Sequence, residues 1–586
     1  MRSALVVAAA VALVATPSGT AKPSGATAAA APFAEAWASV PASSTARKAR
    51  NIVVFGASSV FNGFNTQLAC CNSLWASFAG ANEALRGAFN QNDKGAWVKD
   101  LVSAASADKT GISYTIRPDA YWYWGGKKVP VTYRDFVYTL QQIDDPNNDV
   151  SSRTGYGNLD PTKFTHKGDK QVTFFWKTTS CSTNFPCGPY ANWQSLFTSL
   201  YPSFALAGTD FNKIWTSCIC GKDGKPVSDG PFYLSNYTPG QGTTLKANPF
   251  YHAKPKLAEV DFRFILDQNA AEQAMLGGQI DALLPSIGNV VLPLLNAPGI
   301  AFDEVPGYVF EHLELREGDA KAGPDVNKGA SNVLLRAPWL REAIMLGLDR
   351  RKIIDAVLGR FAGTTRPLDS LLFYSAGTDY RPDFRRWNYN PAKALAILKQ
   401  HCVAGSGPSL PSLANTKTWQ CSGLPATFNW TWIAGRDDWT TSEQLAKAQL
   451  RSIGIQIVDR PLPVNIMFGS DGYVSGNFDI VQFRTITTGD PGDWYDMYRC
   501  YGPGNSTGYC SHTVDGLLKA ASGELDPAKR VQLFQRADAV MATQVPVIPF
   551  YQVPRALVHR SDLLGMRQNP GIAGPFWNIE DWHWRV

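Results

Sequence analysis

GPFYLSNYTPGQGTTLKANPFYHAKPKLAEVDFRFILDQNAAEQAMLGGQIDALLPS, Gly230 to Ser286, passes through strand, turn, helix and strand signals in order. Phe232 to Ser235 and Thr243 to Ala247 flank Pro239-Gly240-Gln241-Gly242, whose residues suit tight dihedrals, so a hairpin is predicted. Val260, Phe262, Phe264 and Leu266 keep a two-residue apolar beat around Asp261 and Arg263, the pattern of a half-buried strand. Asp267 then caps a helix through Ala270, Ala271, Ala274 and Met275. Gly277-Gly278 ends it before the apolar run Ile280 to Leu284.

Outward from that stretch, 586 residues exceed one core, and two or more domains are expected. Apolar residues make up 45% and charged residues 18%, which argues against extensive disorder. A net charge of +6 is small for this length and no dense Lys/Arg run occurs, so no nucleic-acid partner is expected. Arg2, the apolar run Ala4 to Ala15 and Ala26-Thr27-Ala28 have the layout of a secretory signal peptide, taken as residues 1–31. The run is too short for the ~20 residues of a spanning helix. The first cysteine is Cys70, so no lipid-anchor cysteine stands near the cleavage region.

Ten cysteines in an exported chain point to disulfides. By spacing they fall into Cys70/Cys71, Cys181/Cys187, Cys218/Cys220, Cys402/Cys421 and Cys500/Cys510. The first and third sets are too close for an easy internal bridge, which leaves cross-pairing open. No C-x-x-C pair and no H-E-x-x-H helix is present, so no metal and no cofactor is expected.

Residues 32–50 read as a flexible lead. Ile52 to Phe55 is a short buried strand, followed by a polar loop over Asn62 to Ser73. Thr132 precedes a capped helix start, and Ile112 to Arg117 and Lys170 to Trp176 are strands. Arg336 to Leu358, with Pro338 near its start and Gly359 at its end, is the clearest helix. Ala426 to Ile433, Thr441 to Ile453 and Ile455 to Val458 form a βαβ unit, which implies parallel strands. The strand Phe478 to Phe483 runs into the loop Arg484 to Tyr495, a place where open α/β sheets hold ligands.

G-P-F-Y-L, N-P-F-Y-H, V-D-F-R-F and L-G-G-Q-I-D-A-L resemble the peptide/nickel class of extracytoplasmic solute-binding proteins that serve ABC importers. Val131 to Phe136, Arg341 to Ile354, Ser452 to Ile457, Asn477 to Ile480, Asp490-Pro491 and Pro546 to Gly565 follow in the same family's order. The resemblance implies an α/β, two-lobe periplasmic-binding-protein-like fold of class II type, with an extra subdomain of about residues 76–225 in the first lobe. It places lobe 1 at 51–300, lobe 2 at 301–547 and a return to lobe 1 at 548–586, with lobe closure on the ligand. It implies a secreted, monomeric binding protein for a small solute, an oligopeptide first, that delivers to a membrane permease without chemistry. Its localisation would be periplasmic or on the extracellular face of the cell membrane.

The ligand-lining positions implied are Asn65, Cys70, Cys71, Asn72, Trp430, Trp432, Arg484, Thr487, Thr488 and Asp490. Peptide-binding relatives present an aspartate three residues before the Asp-Pro pair to hold the peptide's amine by a charge-assisted bond. Here that position is Thr487, which offers a hydroxyl and no charge, while Asp493 lies beyond the pair. Arg484 suits a carboxylate or phosphate. Two other readings stand beside the peptide. One is a carbohydrate or other non-peptide solute, favoured by eighteen Trp. The other is a secreted hydrolase, whose one support is Gly504-Asn505-Ser506-Thr507-Gly508, a G-x-S-x-G match with no strand leading into it.

Overall fold

The computed structural model describes residues 43–585 except 180, 182–185, 288–290, 319–332, 360, 362–364, 406–417, 469–471, 474 and 503. The expected signal peptide lies outside the described residues. The chain divides into two compact units. Among the described residues, one comprises 43–305 together with 555–585; the other is Pro306–Pro554. The strands Ile300–Leu315 and Val547–Arg560 each cross the boundary.

In the split unit, Ile52–Ala57 is buried along its whole length and pairs in parallel with Glu259–Phe264 on one side and Ala282–Leu283 on the other. A strand covered on both faces loses its need for alternation, which is why Ile52 to Phe55 reads as an unbroken apolar run. The hairpin Phe232–Thr238/Gly242–Ala247 continues the sheet, and Ala282–Leu283 pairs antiparallel with Val558 and His559. Asp267 caps the helix Gln268–Leu276 as expected, its carboxylate accepting from the Ala270 amide at 2.7 Å. The core gathers around Phe55, whose ring meets Phe262, Phe576 and Trp582. A four-stranded antiparallel sheet (Val102–Ala107, Gly111–Ile116, Gln171–Trp176, Leu159–Lys167) and the three-stranded group around Tyr121–Trp124 lie in the region between the first strand and the hairpin. The helix Tyr133–Asp144 opens with a capping box of Thr132 and Asp135.

Two expectations need correction. The lead is ordered before Arg50: Ser43 caps the helix Ser44–Arg50, and Arg47, fully buried, donates to both carboxylate oxygens of Asp281 at 2.7 and 2.6 Å. An arginine in a small, polar segment reads as solvated until its buried partner, far along the chain, is known. The helix expected over Arg336 to Leu358 is two helices, Pro338–Gly347 and Arg350–Leu358. Leu348 turns extended between them, and Asp349 caps the second by accepting from the Lys352 amide. Its apolar stripe is continuous because both helices face one core.

In the Pro306–Pro554 unit, Thr427–Ile433 and Gln456–Leu462 are parallel and joined by the helix Asp437–Ser452, the expected βαβ unit. Gly454, at φ 83, closes that helix where an L side chain would be strained. Ile480–Ile486 pairs in parallel with Thr427–Ile433 and antiparallel with Ile300–Leu315.

Candidate functional site

On Ile480–Ile486, alternation places Gln482 and Arg484 on one face, and the register sets Arg484 opposite Glu311 and Ile480 opposite Trp430. Arg484 Nε donates to Glu311 Oε2, and its Nη2 lies 2.8 Å from Asp438 Oδ2 and 3.3 Å from the Tyr551 hydroxyl. Glu311, fully buried, also accepts from Trp439 Nε1 at 3.1 Å and Gln482 Nε2 at 2.9 Å. Arg436 closes the set with two contacts to Asp438, at 3.0 and 2.7 Å, and stands 4.8 Å from the Trp439 ring. Two arginines and two carboxylates balance. Burial alone raises the Asp438 carboxyl, but Arg484 and then Arg436 reverse this and hold it well below the usual carboxylate range. Burial opposes the charge of Arg484, and Glu311 and Asp438 outweigh it.

Trp430 and Trp432 share the face of Arg484. Trp430 has no exposed surface, and Trp432, 4% exposed, donates to the Thr440 hydroxyl of the covering helix at 3.2 Å. Both therefore pack between strand and helix. Thr487, just past the strand, is buried; its hydroxyl meets that of Tyr374 at 2.9 Å and accepts from the Gly489 amide at 3.0 Å. Thr488 donates from its amide and its hydroxyl to Asp493 Oδ2, each at 2.8 Å. Asp490 takes Arg530 on both oxygens, at 2.7 and 2.6 Å, and caps the following turn at Gly492. Arg484, Thr487, Thr488 and Asp490 thus follow one another along the end of one strand and its loop, while Trp430 and Trp432 lie on the neighbouring strand, Trp430 opposite Ile480 at the strand's start.

Asn65, Cys70, Cys71 and Asn72 form a second set, in the split unit. Asn65 is 1% exposed, donating to the Phe211 carbonyl and accepting from the Tyr201 hydroxyl at 2.7 Å. Cys70 is exposed and Cys71 buried. Asn72 donates to the Ser151 hydroxyl at 3.2 Å. The cysteine sulfurs pair as Cys70–Cys71, Cys181–Cys187, Cys218–Cys220, Cys402–Cys421 and Cys500–Cys510. The sulfurs lie at bonding distance within each set, including the adjacent Cys70 and Cys71, and not across sets.

Sequence reasoning missed Glu311, Arg436, Asp438, Trp439, Tyr374, Tyr551 and Arg530. Glu311 had a signal: an acid within the apolar beat of Val309 to Leu315 must be buried or paired. Among the described residues one group of His, Cys and acidic side chains is close enough to share an ion, namely Cys500, Cys510 and His512, and its two sulfurs are bonded to each other. Ser506 follows no strand and precedes no helix start within the motif, so the turn of a nucleophile elbow is not formed there. No helix among the described residues is long and apolar enough to cross a membrane.

With this geometry established, comparison with known proteins is informative. The family described as bacterial extracellular solute-binding proteins, family 5 Middle, matches residues 96–508. The peptide transport periplasmic protein SapA of Salmonella typhimurium is 22% identical over 354 residues, covering 59% of this chain and 58% of SapA. The dipeptide-binding protein DppE of Bacillus subtilis is 21% identical over 501 residues, 80% of each chain. Among solved structures, the periplasmic EDTA-binding protein EppA superposes with a TM-score of 0.76 at 21% identity, covering 91% of this chain and 96% of EppA. That likeness shows the fold, a mixed α/β periplasmic-binding-protein fold of class II type. The chain spans somewhat over half the length of SapA, and the family match covers more than half of this chain. This chain belongs to the bacterial extracellular solute-binding proteins, family 5.

Proposed function

We propose that this protein is the exported solute-binding component of an ABC importer, that it captures an oligopeptide, and that it delivers it unchanged to a membrane permease. Family membership over residues 96–508 is the observation that carries the reading. The peptide-binding names of SapA and DppE point to the solute class. Residues 1–31 act as the export signal, the five sulfur pairs are formed disulfides, and the protein works as a monomer. The lobes are 51–300 with 548–586, and 301–547. The loop Asn65–Asn72 and the segment Arg484–Asp490 line the solute sites of their own lobes, with Trp430 and Trp432 setting the shape beneath Arg484.

One observation favours a second reading, a non-peptide solute. Thr487 stands where peptide-binding relatives are expected to carry the amine-holding aspartate, and its hydroxyl is occupied by Tyr374 and Gly489. A thermal-shift panel of peptides, sugars and metal chelates separates the readings. The true solute raises the melting temperature in proportion to the logarithm of its concentration and is recovered unchanged in mass. Stabilisation by sugars or chelates alone rejects the peptide, and turnover of any compound rejects a pure binding role.

A further inference from the structure

We propose that the loop Thr209–Gly224 of the split unit forms a second small-molecule site, for an organic acid with a single carboxylate on a compact apolar body. It shares no residue with the two sets above. The pocket holds about 340 Å³, near the lower end of the range for small-molecule sites. Leu206, Ile214, Trp215 and the Cys218–Cys220 pair line it together with hydroxyl and lysine side chains.

Its walls are fixed before any ligand arrives. Trp215 stacks on Tyr201 at 4.9 Å, donates from its indole to the Cys220 carbonyl at 2.9 Å and accepts at its own carbonyl from the Phe64 amide at 2.8 Å. The Lys222 amide donates to the Ala205 carbonyl, and the Val227 amide to that of Ile219. Such a pinned loop loses little conformational entropy on binding.

The polar rim is unbalanced in one direction. Lys213 is neutralised by Asp210 at 2.8 Å. Lys222 has no carboxylate partner among the described residues; its ammonium touches one carbonyl, that of Ala207, at 3.4 Å. Thr216 and Ser217 are exposed and line the same pocket. One uncompensated ammonium with two hydroxyls matches one carboxylate. Ile214 and the Cys218–Cys220 pair, half-buried over a floor of buried Leu206 and Trp215, give an apolar body somewhere to leave water. A multiply charged inorganic anion finds too few donors there, and a neutral body leaves the ammonium unused.

The test uses the full chain and fluorine NMR with 4-fluorobenzoate as probe and 4-fluorobenzamide as its neutral twin. The benzoate signal broadens on addition of protein, with the amide binding roughly three- to fivefold more weakly, the scale of one exposed charge pair. Lys222→Gln lowers benzoate affinity by about the same factor. Ser217→Trp, which fills the mouth, removes binding while the melting temperature holds. Absence of broadening at about 10 mM probe, far above the ligand-efficiency expectation for a body of this size, overturns the site. Equal affinity for the two probes, or an affinity unchanged in both variants, overturns it as well.

Discussion

Arg484 is tied to two carboxylates from two different elements, pairing with Glu311 and sharing Asp438 with Arg436. Removing one member of a buried ionic set leaves the others uncompensated, at about 3–5 kcal/mol. Arg484→Met therefore lowers unfolding stability by that order in a denaturant titration, and adding Glu311→Gln recovers part of the loss. Thr487→Asp restores a charge at the expected amine position, and a charge-assisted bond contributes about 1.5 kcal/mol or more. Free-amine peptides then bind roughly tenfold more tightly in calorimetry, with amine-acetylated peptides unaffected; equal affinities for both forms place the amine elsewhere. Arg484 stood out in the sequence as a cation at a strand end. Its partner Glu311 lies 173 residues away, and no local pattern joins the two. For the same reason Asn65 and Trp430 could be placed on their elements from the sequence, while their burial, set by Tyr201, Phe211 and the covering helix, could not.

Elements whose reasons are local were legible to within a few residues. The hairpin at Phe232–Thr238, the capped helix at Gln268–Leu276 and the βαβ unit whose helix closes at Gly454 each carry their turn or cap in the sequence itself. The split of Pro338–Gly347 from Arg350–Leu358 was missed because the apolar stripe runs on past Gly347: Leu348 is extended and Asp349 supplies the cap. Arg350, buried at the start of the second helix, donates to the Leu368 and Pro549 carbonyls and to Asp369, and these contacts fix where that helix must begin. Asp349→Ala removes one cap and costs about 1 kcal/mol in chemical denaturation. Asp349→Asn, which keeps the acceptor, costs much less.

At the scale of the whole molecule, acids shifted upward by burial outnumber those held down by arginines, and this sets the response to pH. Burial raises Asp538 to about 7, and Glu317 and Glu580 likewise to about 7. As pH climbs from about 4 toward 7 the unfolded chain releases these protons while the folded chain keeps them, so stability falls across that window and levels off above it. Asp438 acts in the opposite sense, its contribution being lost as pH drops below about 4. Melting temperature is therefore highest near pH 4 to 5. Asp538→Asn, which still accepts from the Leu371 amide, flattens the fall by on the order of 3 kcal/mol between pH 5 and 7.5.

The division of the chain also has a consequence in time. Pro306–Pro554 is one continuous piece, whereas the other unit draws on both ends: Phe576 and Trp582 enclose Phe55, and Trp584 donates its indole hydrogen to the Ile52 carbonyl, 532 residues earlier. Synthesis begins at the amino end. The strand Ile52–Ala57 is made early and its packing stays incomplete until Phe576 to Trp584 are made, while the central piece can close on itself in the interval. The part of the protein that leaves the ribosome first is the part that finishes folding last.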